Sequence, residues 1–358
     1  MLHLHLRGTP YEQGRQLGEA AAELIRDNVQ RAAALMPRVA SDFDLSAYIA
    51  MTRRNEAWVS RVYPELLDEL HGVSETSGVK YDDLLHLNLN TDVAYARAYA
   101  MVLDCTQVLA TGSATADGKT YLAKTRDLTR GPIQHVLLER EYDDGTSRVE
   151  VQTAGQMTLP LGVNNYGVAV GTSGQWTSRV VVDLARGDSA WHIPNLQPVL
   201  RQARSADEAL EIVREQPRVA GMNMLVSDGA RSYALEITAT DVQVFEPSDD
   251  ILVRTNHYLS PALRHLAPTP LENQGTFDRY ARATEMVCGR HGTVGMEDMW
   301  RILSDHAEPP MQSICRHGAG EGVGRTYAAL VICPEDRSVW TSFGYPCQGI
   351  QDEARLTD

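Results

Sequence analysis

The feature that most constrains this chain is a single change of periodicity. Up to about residue 104 the apolar residues recur at helical spacing. From Cys105 onward they fall in short β-branched runs punctuated by turn pairs. After an opening strand at Met1–Arg7, Thr9-Pro10-Tyr11-Glu12 carries the pattern of a capped helix start. Thr is at the cap, Pro at the first helical position and Glu at the third. Leu17, Ala21, Leu24, Ile25 and Ala32 then share one face, and Pro37 predicts the helix end. Gly14 and Gly18, four residues apart, predict a close helix contact. Further helices are predicted at 45–62, 64–75 and 82–99.

Beyond Leu103, strands are predicted at 120–125, 136–142, 148–153, 168–172, 224–227, 233–238, 242–245, 251–255, 327–332 and 338–343. Asp117-Gly118, Asp144-Gly145, Tyr166-Gly167 and Asp228-Gly229 separate several of them. Helices are expected near 207–215, 277–287 and 296–306. Many hairpin-joined strands with helices in blocks imply antiparallel sheets covered by helices, an α+β architecture. The expected organisation is one interleaved domain, with a mainly helical part at 1–104 and a strand-rich part at 105–358.

The net charge of −14 over 358 residues argues against nucleic acid or an anionic membrane as partner. No stretch approaches the ~20 apolar residues of a membrane span. The first residues alternate too regularly for a signal peptide. Five cysteines (Cys105, Cys288, Cys315, Cys333 and Cys347) without a Cys-x-x-Cys pair fit reduced thiols, and hence a cytoplasmic location. His3 and His5 lie on one side of a strand with no third ligand evident, so no metal is expected. Cys315, beside Arg316 and His317, reads as a packing residue rather than a second reactive thiol. The glycines at 318, 320, 322 and 324 precede a strand, not a helix. They are expected to form a substrate-side loop rather than a phosphate cradle.

Cys105 stands at the head of the first strand after the change. Read as a hairpin centred near residue 116, paired positions sum to roughly 232–233. Residue 127 then falls opposite 105 or 106, and Asp127 returns beside the thiol. Taken alone, this spacing also fits a buried structural Cys with a strand-end Asp.

A wider set of motifs resolves that choice. Gly8-Thr9-Pro10-Tyr11-Glu12 with Gly14 and Gly18, then Thr91-Asp92-Val93-Ala94-Tyr95 and Cys105-Thr106, occur in order along the chain. Gly167-Val168-Ala169-Val170, Thr255-Asn256-His257, Ser313-Ile314-Cys315-Arg316 and Gly324-Arg325 follow. This ordered set resembles the isopenicillin N acyltransferase family, the acyl-CoA:6-aminopenicillanate acyltransferases, over nearly the whole length. The resemblance implies a four-layer αββα N-terminal-nucleophile hydrolase whose precursor cuts itself between Asp104 and Cys105. The two fragments would remain together as a heterodimer. It implies Cys105 as nucleophile, Asp127 as a polar partner, Asn256 as oxyanion donor and Arg325 as a substrate-facing or supporting group. His257, Gln107 and Trp176 are expected to line or support the pocket.

The chemistry is consistent with that assignment. An α-amino group titrates at about 7.7–8.0 and a thiol at about 8.5, so a terminal Cys can hand its side-chain proton to its own amine. The partner expected is a small-molecule amide or acyl donor. No metal and no organic cofactor is expected, and a CoA thioester is an optional co-substrate. Asp104 replaces a Gly before the nucleophile, Gln107 a small hydroxyl residue, and Gly324 a Ser. These departures argue against penicillin acylation itself. The alternatives are a dedicated acyl-CoA-dependent N-acyltransferase of a natural-product pathway and an uncleaved thiol amidase using Cys105 with His257. A non-enzyme alternative is a catalytically silent small-molecule-binding protein.

Overall fold

The computed structural model describes residues 1–39, 45–89, 105–128, 133–175, 189–191, 193–306, 312–318 and 324–357. The chain opens with strand β1 (His3–Arg7), followed by α1 (Pro10–Ala20), α2 (Ala22–Val39), α3 (Leu45–Val62), α4 (Pro64–Ser77) and α5 (Tyr81–Leu89). The capping box at Thr9 is formed in both directions. Thr9 Oγ1 accepts from the Glu12 amide at 3.3 Å, and Glu12 Oε2 accepts from the Thr9 amide at 2.8 Å. The single helix expected over 10–37 is two, because the chain turns at Ala21. Pro37 does not end α2. It lies two residues before Val39, so the one hydrogen bond it forfeits falls in the last turn of the helix. The helix expected over 82–99 is present as α5, and its second half lies outside the described residues.

Gly14 and Gly18 do permit a close helix contact. A Cβ on Gly14 would sit 2.1 Å from the Glu69 carbonyl of α4, and one on Gly18 2.6 Å from that of Val73. Gly72 of α4 reciprocates, 2.2 Å from the Tyr11 carbonyl. Any side chain at these positions would push α1 and α4 apart.

The strands then follow as β2 (Gln107–Ala110), β3 (Tyr121–Leu128), β4 (His135–Glu141), β5 (Ser147–Thr153), β6 (Leu161–Asn164) and β7 (Ala169–Gly174). Helices α6 (Gln197–Gln202) and α7 (Ala206–Glu215) precede β8 (Met222–Ser227), β9 (Ser232–Ile237), β10 (Val242–Phe245) and β11 (Ile251–Arg254). Next come α8 (Pro270–Cys288), α9 (Met296–Leu303), β12 (Arg325–Cys333), β13 (Ser338–Ser342) and β14 (Asp352–Arg355). One sheet has eight strands in the order β1-β4-β5-β6-β7-β8-β9-β10, the other six in the order β11-β2-β3-β12-β13-β14. The pairings are antiparallel except at one edge, where β1 runs parallel to β4.

Alternation along the strands sorts the side chains into layers. Val136 and Leu138 of β4 join Leu17, Ile25, Leu66 and Leu70 in the core beneath the first helices. Leu137 and Val149 point the other way, into a core shared with Leu109, Leu122 and Leu330 of the six-stranded sheet. Val108, Ala123 and Val331 face Ala283, Val287 and Met299 of α8 and α9. The result is four layers, helix on sheet on sheet on helix, as the sequence implied.

Two polar ties cross these layers. Buried Arg140 donates to Glu69 and Glu150, each at 2.7 Å, and to Gln13 at 3.0 Å, while Gln197 donates to Glu69 at 2.9 Å. Helices α1 and α4 are thus pinned to β4, β5 and α6. On the opposite face of β4, His3 joins Glu139 at 2.9 Å and Asp352 at 3.1 Å, connecting one sheet to the other. His5 also reaches Glu139, at 3.3 Å, a carboxylate that the pattern of β1 alone could not reveal. Among the described residues, no helix is long and apolar enough to cross a membrane.

Candidate active site

The site is built on the β2–β3 hairpin, with Cys105 buried at its head. The ladder pairs Gln107 with Lys124 and Ala110 with Tyr121, so partners sum to 231 rather than 232–233. The expected tight turn at Asp117-Gly118 does not set the register. The loop is instead anchored from outside. The Ser113 amide donates to Asp250 Oδ2 at 2.8 Å and the Ala116 amide to the Val294 carbonyl at 2.9 Å, while within the hairpin the Thr111 and Thr120 hydroxyls meet at 2.7 Å.

This one-step shift changes which face Asp127 occupies. Leu109, Leu122, Gln107 and Lys124 face the eight-stranded sheet, whereas Thr106, Thr125 and Asp127 face α8. Asp127 therefore reaches the backbone beside Cys105 through an intermediary. The Thr106 amide donates to Thr125 Oγ1 at 3.1 Å, and that hydroxyl donates to Asp127 Oδ2 at 3.1 Å.

Arg279, which sequence reasoning did not single out, joins the two principal candidates. Its guanidinium donates to the Cys105 carbonyl at 2.8 Å and to Thr106 Oγ1 at 3.0 Å, and through its other Nη to Asn256 Oδ1 at 3.0 Å. A guanidinium can only donate, so this bond fixes which end of the Asn256 amide is oxygen. The Asn256 Nδ2 then donates to the Gly174 carbonyl at 2.7 Å, and a primary amide carries a second N–H besides that one. Helix α8 aligns the pair from below, with the Asn256 amide donating to Thr276 Oγ1 at 2.9 Å and Thr255 Oγ1 to the Thr276 carbonyl at 2.9 Å. A signal for Arg279 was present in the sequence. It occupies the same helix face as Thr276, Ala283 and Val287, a place where a lone cation must serve something.

On the opposite face of the hairpin, Lys124 is buried against Cys105. Burial lowers its pKa, partly offset by the Cys105 thiol as charge and hydrogen-bond partner, and its Nζ also donates to the Thr125 carbonyl at 3.1 Å. Gln107 donates to Ser173 Oγ at 2.9 Å, and Ser173 to the Thr255 carbonyl at 2.6 Å. Asn223 adds bonds to the Thr255 and His257 carbonyls at 3.0 and 3.1 Å. Gly171 allows the sheets to close here, since a Cβ on it would lie 2.8 Å from Leu122 and 2.9 Å from Gln107.

His257 is buried, its Nδ1 within 3.1 Å of Thr255 Oγ1 and 3.0 Å of Thr276 Oγ1, and its ring packs on Phe277 at 4.3 Å. Burial, then the nearby Arg279 and Arg254, lowers its pKa to about 4. Arg325 is exposed at the head of β12, opposite Leu128, with its guanidinium 5.0 Å from the Tyr327 ring. Its neighbour Thr326 pairs with Asp127. The Cys315 thiol is pushed up to about 12, chiefly by burial, which makes it a poor nucleophile at neutral pH. Asp104, Trp176 and most of the glycine loop after residue 318 lie outside the described residues.

One arginine thus joins the Cys105 backbone to the Asn256 side-chain amide, with the thiol buried at the head of the hairpin. A protein of Archaeoglobus fulgidus without a described function is 20% identical over 95% of this chain, which spans 63% of that relative's length. The acyl-coenzyme A:6-aminopenicillanic-acid-acyltransferase 40 kDa form of Emericella nidulans is 24% identical over 97% of this chain and 93% of its own. Among solved structures, penicillin V acylase from Agrobacterium tumefaciens aligns with 67% of this chain and 83% of its own, at 13% identity and a TM-score of 0.44. A conjugated bile acid hydrolase from Clostridium perfringens aligns with 71% of this chain and 97% of its own, at 12% identity and a TM-score of 0.42. Residues 114–348 match the family described as acyl-coenzyme A:6-aminopenicillanic acid acyl-transferase, and with that match over most of its length the chain belongs to this family.

Proposed function

We propose that this chain is a self-cleaving cysteine amidohydrolase. In this reading it cuts its own Asp104–Cys105 bond and then cleaves a small N-acyl or aminoacyl amide through a Cys105 thioester. The observation that carries the reading is the Arg279 bridge, which holds the Cys105 backbone and orients the Asn256 amide with one guanidinium. The second N–H of that amide would serve as oxyanion donor.

The steps balance without a metal or an organic cofactor. The Cys105 thiol gives its proton to its own α-amine as sulfur attacks the substrate carbonyl carbon. Asn256 stabilises the tetrahedral oxyanion beside the Arg279 guanidinium. Collapse breaks the C–N bond, and the leaving amine takes the proton back. Water, deprotonated by the same α-amine, then resolves the thioester to acid and free thiol. His257 is unneeded as base in this scheme. Its occupied Nδ1 and low pKa make it a weak one, which disfavours the uncleaved Cys–His amidase.

A second reading, transfer of the acyl group to an amine with a CoA thioester as donor, follows from the fungal relative, itself an acyltransferase. It shares the Cys105 thioester. The test of the main reading is intact mass and N-terminal sequencing of the purified protein. The expected result is pieces of 104 and 254 residues that co-elute in native sizing. The Cys105→Ala variant should remain full length and inactive. Wild-type protein that stays intact yet turns over amides would overturn the mechanism. Decay of a trapped acyl-enzyme that is negligible in water but fast with one amine acceptor would replace hydrolysis by transfer.

A further inference from the structure

The structure gathers a second constellation that the reaction above does not use. Cys315 Sγ lies 3.4 Å from His317 Nε2, and the same nitrogen lies 3.2 Å from Cys347 Sγ. His306 completes the group, with one ligand atom from each of the four residues within 4.8 Å of the others. The ligands come from three segments, two of them close in sequence. His306 follows α9, Cys315 and His317 sit in the approach to β12, and Cys347 lies in the short turn Pro346–Gln348 after β13.

We propose that His306, Cys315, His317 and Cys347 bind one zinc ion. Two thiolates and two neutral imidazoles are a donor set suited to tetrahedral Zn²⁺. With Zn–S near 2.3 Å and Zn–N near 2.0–2.1 Å, such a tetrahedron sets its ligands roughly 3.3–3.8 Å apart. The two sulfur–nitrogen separations here, 3.4 and 3.2 Å, lie close to that spacing without the ion, the second just short of it. Binding releases both thiol protons to solvent, and the dication is balanced by two thiolates. The ligands are also braced from behind. The His317 ring stacks on Tyr345 at 3.9 Å, and the Cys315 amide donates to the Asp305 carbonyl at 2.9 Å. Three ligands are exposed and Cys315 is buried, so an ion can enter from solvent and still be anchored to the core. The ion would clip the end of α9 and the β13 turn to the segment leading into β12. Because His317 bridges to Arg325, that clip would steady the rim carrying Arg325. The proposal does not depend on Cys105 being the nucleophile.

The experiment is a Co²⁺ titration of the reduced full-length protein, with zinc content measured on the protein as purified. The expected result is about one equivalent bound, with thiolate-to-cobalt charge-transfer absorption and the visible bands of a tetrahedral site, displaced by Zn²⁺. Cys347→Ser and His306→Asn, both at exposed positions, should each weaken binding by at least about tenfold. Cys105→Ala should bind as the wild type does. A chelator should lower the Tm of the wild type and leave that of Cys347→Ser unmoved. Reduced protein that takes up no Co²⁺ overturns the site. So do bands that vanish in Cys105→Ala but persist in Cys347→Ser. Should Cys347→Ser fail to fold, His306→Asn carries the same comparison alone.

Discussion

At the scale of single residues, Arg279 is a buried donor whose bonds run to Cys105, Thr106 and Asn256. Removing the Asn256 side chain therefore does two things. On the proposed mechanism Asn256→Ala takes away the oxyanion donor, expected to lower kcat by roughly 10²–10³. It also leaves the buried guanidinium short of an acceptor, at a cost of about 1–3 kcal/mol of stability. Steady-state kinetics alongside urea unfolding check both. A variant that is destabilised but turns over normally would make Asn256 a structural residue only. Cys105 and Asn256, which Arg279 brings together, could be singled out because each sits in a recognisable ordered motif, whereas Arg325, from a motif of the same kind, lies exposed at the head of β12. Arg279 and Lys124 could not, since neither belongs to such a motif: the partners of Arg279 are remote in sequence, and the contact of Lys124 with Cys105 follows only once the hairpin register is known. The side of the strand taken by Asp127 was hidden for another reason. The hairpin register is fixed by Asp250 and Val294, more than a hundred residues away.

Among the elements, the helices of the first segment are held by glycine contacts and by one buried charge cluster. Arg140 faces Glu69 and Glu150 in the interior, and these carboxylates raise its pKa further against the opposing effect of burial. Breaking such a pair by removing one partner leaves an uncompensated buried charge, typically a loss of 3–5 kcal/mol. Glu69→Ala is expected to lose about that much, measured as a shift in urea midpoint. Most of the strands could be read from β-branched runs and Asp-Gly turns. Strands β6 and β14 could not, because β6 carries Gly162 and Asn164 among its four residues and β14 has Ala354 as its one apolar residue. Helix α6 escaped likewise, being six residues entered through Pro198 without a side-chain cap.

On the scale of the whole molecule, burial couples the layered core to pH. His257 titrates in the folded protein at about 4, against an ordinary value of about 6.5. The unfolded chain therefore binds the extra proton. Stability from keeping this ring neutral is fully present above about pH 6.5 and is lost as pH falls towards 4. At 1.36 kcal/mol per unit the loss is ~3 kcal/mol, and buried His135, also lowered by desolvation, adds to it in the same direction. Urea midpoints at pH 7 and pH 5 should differ less in His257→Gln than in the wild type. Equal differences would count against this coupling. One further consequence belongs to the parallel pair at the sheet edge. Strand β4 is covered along its outer side by β1, and on one face by the helices that follow β1. A polypeptide beginning at Cys105 would bare that edge along its length, with Val136 and Leu138 stripped of cover. An open, apolar edge recruits strands from other molecules. Cut or uncut, the first segment thus shields an edge and a face that the second segment would otherwise expose.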